Sequence, residues 1–152
     1  MNKEILKYPN PFLNKKAEEI KEISEDIKAL AKYIIETMNN NQGVGLAATQ
    51  IGESKRIIVV DAGDGPMIFF NPRIIKKSWK KEAMEEGCLS LPGYSLKIIR
   101  PKEVELEWLS EKGEKVKIKT DGMLARIIQH ETDHLDGILL IDRLNFWQKL
   151  WA

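Results

Sequence analysis

The sequence predicts an α+β fold, in which mixed, mainly antiparallel strands surround a central helix that carries the string His-Glu-Thr-Asp-His at residues 130–134. Two segments, one early and one late in the chain, have the apolar spacing of amphipathic helices. Between them lie five short strand-like segments, separated by turns and not by further helices. This order favours an α+β arrangement over the alternating strands and helices of an α/β protein.

The first helix is predicted to begin after Ser24, a residue type that caps helix N-termini, with Glu25 and Asp26 in the favourable first turn. Apolar residues then recur at helical spacing, at Ile27, Leu30, Ala31, Ile34, Ile35 and Met38. Three asparagines and a Gln-Gly pair at residues 39–43 predict the end of this helix.

The strands are predicted at residues 56–61, 67–71, 96–99, 104–109 and 116–119. The string Gly-Asp-Gly-Pro at 63–66 predicts a turn, and Glu-Lys-Gly-Glu at 111–114 predicts a hairpin between the last two strands. The second helix is predicted over 122–136, with Asp121 as its cap and Gly137 at its end.

The length and composition predict one catalytic domain over residues 1–152. A net charge of +1, from 24 basic and 23 acidic residues, gives no general attraction to nucleic acids or acidic membranes. One cysteine excludes an internal disulfide, and no stretch is suited to a signal sequence or a membrane span. We therefore expect a cytoplasmic protein that binds neither nucleic acid by itself nor a membrane.

Both histidines of the chain fall within residues 130–134, four positions apart. On a helix such residues lie on one face, so both imidazoles can bind one metal ion, with Glu131 beside them as a base toward a metal-bound water. Asp133 is either an acceptor for an imidazole N–H or a solvated charge. Met123 and Ile127 share the face of the histidines, which predicts core packing or the wall of an apolar pocket beside the metal.

A catalytic metal of this type needs a third protein ligand and one open position. A third histidine six positions after the second is absent, since that place is Leu140, and no glutamate follows the motif. Asp136 and Asp142 remain as candidates, as does the only cysteine, Cys88. A lone cysteine is often an inert buried thiol. A thiolate is a strong ligand for zinc or ferrous iron, so we favour Cys88.

Three strings together resemble the three signature motifs of the peptide deformylase family, in the family's order. They are Gly-Val-Gly-Leu-Ala-Ala-Thr-Gln-Ile-Gly at 43–52, Glu-Gly-Cys-Leu-Ser at 86–90 and Gln-His-Glu-Thr-Asp-His-Leu-Asp-Gly at 129–137. The resemblance extends from about residue 5 to residue 143, which is most of the chain.

The resemblance implies removal of the N-formyl group from the formylmethionine of newly made polypeptides, with release of formate, as a step of protein biosynthesis and N-terminal processing. It implies one divalent ion, usually Fe²⁺, although Zn²⁺, Ni²⁺ or Co²⁺ can occupy such sites. The implied metal ligands are Cys88, His130 and His134. Glu131 is the implied base, and the Gln50 amide and the Leu89 backbone N–H are the implied oxyanion donors. The implied substrate-binding residues, which contact an extended peptide and its methionine, are Gly43, Val44, Gly45, Gly87, Met123 and Ile127.

Many bacterial deformylases have a longer, basic C-terminal helix that contacts the ribosome. The segment 144–152 is short and aromatic with one lysine, which does not favour ribosome binding through such a tail. Two other functions share part of the pattern. A zincin-like metallopeptidase would normally take its third ligand downstream of the helix, and a non-catalytic metal-stabilised module would need four protein ligands. Assays on formylated and acetylated peptides separate these from a deformylase.

Overall fold

A computed structural model describes residues 3–144, which form two antiparallel sheets and two α-helices. The helices are α1 (Glu25–Asn40) and α2 (Gly122–Leu135). The strands are β1 (Gly45–Ala47), β2 (Ile57–Val60), β3 (Met67–Lys77), β4 (Lys81–Cys88), β5 (Leu91–Pro101), β6 (Glu103–Leu109) and β7 (Lys115–Asp121). One sheet has the order β1-β2-β3-β6-β7, and the other pairs β4 with β5. The predicted α+β class is confirmed.

The helix α1 begins and ends where the sequence predicts. Ser24 caps it, since its Oγ accepts a hydrogen bond from the N–H of Ile27 at 3.3 Å. The apolar face of α1 packs against Ile57 and Val59 of β2 in one core cluster. The alternate residues of that strand, Ile58 and Val60, pack in a second cluster with α2. Strand β2 is therefore covered on both faces, which explains its continuous apolar sequence.

The five predicted strands are all present, as parts of β2, β3, β5, β6 and β7. Strands β1 and β4 were not predicted. Four of the eight residues of β4 are charged, and Glu86 is its only fully buried side chain, so it lacks an apolar face. Its formation depends on pairing with β5 over almost its whole length. The predicted hairpin at 111–114 joins β6 to β7.

The helix α2 lies at the centre of the fold, because every residue from 125 to 135 is buried. Asp121 precedes it in the N-cap position, but its side chain makes no capping hydrogen bond, so the predicted cap is wrong. The helix begins at Gly122, as predicted, and this residue has φ +62°. At its other end Gly137 has φ +74°, and a Cβ atom there would overlap the Asn14 carbonyl.

The predicted aromatic tail, from residue 145 onward, lies outside the described residues. Within residues 3–144, no helix combines the length and the apolar character that crossing a membrane requires.

Candidate active site

The three predicted ligands converge between β4 and α2. Cys88 is the last residue of β4, whereas His130 and His134 lie one turn apart on α2. Their ligand atoms all lie within 4.8 Å of one another, and Cys88 Sγ is 3.3 Å from His134 Nε2. Bonds of about 2.0–2.3 Å to one tetrahedral ion separate such ligands by roughly 3.3–3.7 Å. The distance from Cys88 to His134 matches this range, and the three side chains together could hold a single divalent ion.

The other candidates for the third ligand have different partners. Asp136 pairs with Arg56 at 2.9 Å, and Asp142 accepts a hydrogen bond from the N–H of Leu139 at 2.9 Å. Neither carboxylate belongs to the group of ligand atoms that the described residues form. The fold thus brings Cys88, and neither aspartate, to the two histidines.

Glu86 orients the first histidine, a role that sequence reasoning missed. Its Oε1 lies 2.9 Å from His130 Nδ1, which leaves Nε2 of that imidazole to face the ion. Arg100 and Arg126 also donate to this carboxylate, at 2.7–3.0 Å. Burial alone would raise the pKa of Glu86, but the hydrogen bonds from His130, Arg100 and Arg126 lower it to about 2. The carboxylate stays ionised and can hold the imidazole in one orientation.

Asp133 has neither of the two roles considered from the sequence. Its carboxylate is buried and accepts hydrogen bonds from Arg100 and Arg143, at 2.6–2.9 Å, and from no imidazole. Its two partners, Arg100 and Arg143, lie outside α2 in the sequence. Only the folded structure shows that they contact Asp133.

The two histidines differ in their electrostatic environment. Burial opposes protonation of His130, but the neighbouring Glu131, Cys88 and Glu86 raise its pKa to about 10. Burial and the charge of His130 hold the pKa of His134 well below its usual value. His134 is therefore held in the neutral form, which is the form of an imidazole that binds a metal ion.

Glu131 lies directly beside the ligand group in a tightly packed wall. Among the described residues nothing donates to its buried Oε1, and its Oε2 is 4.0 Å from His130 Nε2. Burial raises its pKa to about 7, although His130 and Arg100 act in the opposite direction. A Cβ atom on Gly45 would lie 2.5 Å from Glu131 Oε2, so only glycine lets β1 run this close to α2.

Gln50 is buried with its amide fixed at both ends. Its Oε1 accepts a hydrogen bond from the N–H of Ala47 at 2.9 Å, and its Nε2 donates to Ser90 Oγ at 3.0 Å. The same nitrogen lies 3.6 Å from Cys88 Sγ, so its second N–H points toward the ligand group. Ser90 is a second residue that sequence reasoning missed, although it is the last residue of the second motif.

These groups line an open groove with a cavity volume of about 610 Å³. All six residues predicted to bind substrate line it, namely Gly43, Val44, Gly45, Gly87, Met123 and Ile127, together with Gln50, Cys88, Leu89, His130 and Glu131. Val44 and Met123 are more than half exposed, so the core-packing interpretation is wrong for Met123. Ile127 is buried in the core and also lines the groove. His134 does not line this groove and packs behind Cys88.

Comparison with known proteins shows the family to which this chain is similar. The family model described as polypeptide deformylase matches residues 2–150. The peptide deformylase of Clostridium botulinum is 48% identical over 139 residues, covering 91% of this chain and 94% of that protein. The peptide deformylase of Dictyoglomus thermophilum is 46% identical over 143 residues, covering 94% and 93%.

Solved structures show the same fold. The crystal structure of peptide deformylase from Thermotoga maritima superposes with a TM-score of 0.92 at 39% identity, covering 95% of this chain and 99% of that one. A peptide deformylase from Synechococcus elongatus in complex with actinonin has a TM-score of 0.93 at 35% identity, covering 99% and 83%. The metallopeptidase and structural-module alternatives are not favoured. The chain belongs to the polypeptide deformylase family, whose metal-dependent hydrolases remove the N-formyl group from nascent polypeptides.

Proposed function

We propose that this chain deformylates N-formylmethionyl peptides with one Fe²⁺ ion held by Cys88, His130 and His134. The observation that carries the proposal is the convergence of these three ligand atoms beside an apolar groove, which Cys88 and His130 line. A thiolate and two imidazoles also suit Zn²⁺, Ni²⁺ and Co²⁺, and the choice of Fe²⁺ rests on the resemblance to the family. A bound ion would polarise the formyl carbonyl and lower the pKa of a water molecule.

We propose that Glu131 is the general base and acid of the reaction. Its Oε1, which has no donor among the described residues, can accept the proton of the attacking water as oxygen bonds to the formyl carbon. When the C–N bond breaks, the same carboxyl can donate that proton to the departing amine nitrogen. Formate and a free N-terminal amine are the products.

We propose that Gln50 and the Leu89 backbone N–H stabilise the oxyanion of the tetrahedral intermediate. Ser90 and Ala47 hold the Gln50 amide before substrate arrives, so no reorganisation is needed when the charge develops. Leu89 follows Cys88 directly in the turn between β4 and β5, which keeps its N–H close to the ligand group.

The substrate is proposed to bind as an extended strand between Gly45 and Gly87. Strand β1 is at the edge of its sheet, since β2 is its only partner strand among the described residues, and its free edge can pair with a peptide backbone. The methionine side chain would contact Val44, Met123 and Ile127. A Cβ atom on Gly43 would lie 2.8 Å from Leu89 Cδ1, so this glycine lets the two walls of the groove approach.

We further propose that residues 1–152 form one catalytic domain and that the enzyme acts in the cytoplasm. Nascent chains are the substrates, and a reducing compartment keeps the only thiol, Cys88, available as a ligand. The ribosome is proposed only as the source of the substrate, and nucleic acids and membranes are not proposed as partners.

The proposal is tested by measuring formate release from a formyl-Met peptide and from its acetyl counterpart. The protein is purified without oxygen, and its metal content is measured in the same preparation. We expect about one equivalent of iron, formate release from the first peptide and no cleavage of the second, because the family acts on the N-formyl group. Cleavage of internal peptide bonds, or activity without bound metal, would contradict the proposal.

Replacing Gln50 with leucine is expected to cost roughly 3 kcal/mol of transition-state stabilisation, the effect of losing one oxyanion donor. Because the charge appears only in the transition state, kcat should fall more than KM rises. The measurement is kcat per metal-loaded molecule, together with a melting curve. If Gln50 only supports its loop, the variant will melt earlier but its folded fraction will turn over normally.

A further inference from the structure

A continuous series of charge-assisted hydrogen bonds connects Arg143 with His130. Arg143 donates from Nε and Nη2 to the two oxygens of Asp133, at 2.9 and 2.6 Å. Asp133 also accepts from Arg100 Nη1 at 2.8 Å. Arg100 in turn donates from Nε and Nη2 to Glu86, at 2.7 and 3.0 Å, and Glu86 contacts His130 Nδ1 at 2.9 Å.

The geometry of these bonds restricts the side chains strongly. A guanidinium that donates two bonds to a carboxylate fixes both the position and the plane of its partner. Arg143 binds Asp133 in this way, and Arg100 binds Glu86 in this way. The side chains of Arg100 and Glu86 are 4% and 5% exposed, whereas that of Arg143 is 35% exposed. Arg143 is therefore the partly exposed end of this series of hydrogen bonds, and His130 is its buried end.

We propose that Arg143 is a positioning residue for the metal site, acting on His130 through Asp133, Arg100 and Glu86. Without Arg143, the carboxylate of Asp133 can turn and displace the Arg100 guanidinium that donates to it, and the two-bond fork between Arg100 and Glu86 transmits this displacement to Glu86. Glu86 then holds the imidazole of His130 less rigidly, which weakens metal binding. The inference rests on the ligand set proposed above.

The chain offers a matched control at the same end of α2. Arg56 pairs with Asp136 at 2.9 Å and donates from Nη2 to the carbonyl of Pro72. Loss of Arg56 also leaves an aspartate without its arginine partner, namely Asp136, just after α2. None of the described hydrogen bonds of Arg56 leads to a proposed ligand, however. The Arg143→Ala and Arg56→Ala variants therefore separate the connection to the metal site from a general loss of stability.

The experiment titrates the metal-free full chain with Co²⁺ against a competing chelator and follows the thiolate-to-cobalt absorption of Cys88. We expect Arg143→Ala to raise the Kd for Co²⁺ about tenfold, near the low end for outer hydrogen-bond partners of metal ligands. Arg143→Lys, which keeps the charge but loses the planar fork, should lie between wild type and Arg143→Ala. Arg56→Ala should bind Co²⁺ like wild type. Equal Kd values for Arg143→Ala and Arg56→Ala would overturn the inference.

A second measurement tests the route itself. In a Glu86→Gln background the series is already broken, so adding Arg143→Ala should leave the Kd unchanged, and a full additional loss of affinity would overturn this route. If Arg143→Ala does not fold, Arg143→Lys takes its place. Its effect on the Kd for Co²⁺ is then measured once in the wild-type chain and once in the Glu86→Gln chain, and only the first should show a loss of affinity. Absence of the cobalt–thiolate absorption in wild type would instead contradict the proposed ligand set.

Discussion

Replacing Glu131 with glutamine is expected to lower turnover by roughly a hundredfold or more, with bound metal retained, because the amide keeps the size of the side chain but cannot carry the proton. Glu131 lines the groove and is not a member of the ligand group, so its loss should leave the ion in place. The measurement is formate release per metal-loaded molecule, with the metal content of the same preparation.

Glu85 provides the control for this experiment. Its exposed carboxylate lines the same groove, where it accepts a hydrogen bond from Ser95 at 2.8 Å. The Glu85→Gln change therefore removes the same charge from the groove without removing a proposed proton carrier. Near-normal turnover by Glu131→Gln, or an equal loss in both variants, would show that Glu131 does not carry the proton.

Replacing Cys88 with serine is expected to abolish stoichiometric binding of iron or to change the metal that is preferred. A neutral hydroxyl is a far weaker ligand than a thiolate, and removing a direct ligand should cost more than the roughly 10–100-fold loss caused by removing an outer partner. Metal content after anaerobic purification and a chelator titration measure the effect. Activity should fall in proportion to the metal lost.

Asp136→Asn is the control, because Asp136 was, with Asp142, one of the two alternative ligands that the sequence left open. It pairs with Arg56 away from the ligand group, so this variant should keep its metal. Cys88 is the only cysteine, and any thiolate-to-metal absorption therefore comes from this residue. Full iron content and activity in Cys88→Ser, or metal loss in Asp136→Asn, would contradict the proposed ligands.

Much of the fold could be predicted because its signals are local. Helical spacing of apolar residues and the Ser24 cap defined α1, and the central helix was bounded correctly to within one residue of Leu135. Strand β4 could not be predicted in this way. Its sequence is half charged, and it forms because β5 supplies the hydrogen-bond partners and α2 covers Glu86. Such stabilisation depends on residues that are distant in the chain.

The site residues likewise fall into those that could be predicted from the sequence and those that could not. All six residues predicted to bind substrate lie along one groove, and the three predicted ligands meet, but these predictions drew on the resemblance as well as on residue chemistry. The outer partners of the histidines were missed. Glu86 stands two residues before the cysteine in a segment for which no strand was predicted, and Arg100 and Arg126 carry no local signal of burial.

The sequence alone determined the pair of histidines and the adjacent glutamate, because the period of a helix places residues four apart on one face whatever surrounds it. It also indicated the family, through the resemblance of three separate motifs. Only the tertiary structure decided which residue joins the histidines and which groups orient them. The pairing of β4 with β5 carries Cys88 to α2, and burial makes the carboxylates of Glu86 and Asp133 require arginine partners. Those partners come from other elements of the chain, so they exist as neighbours only after folding.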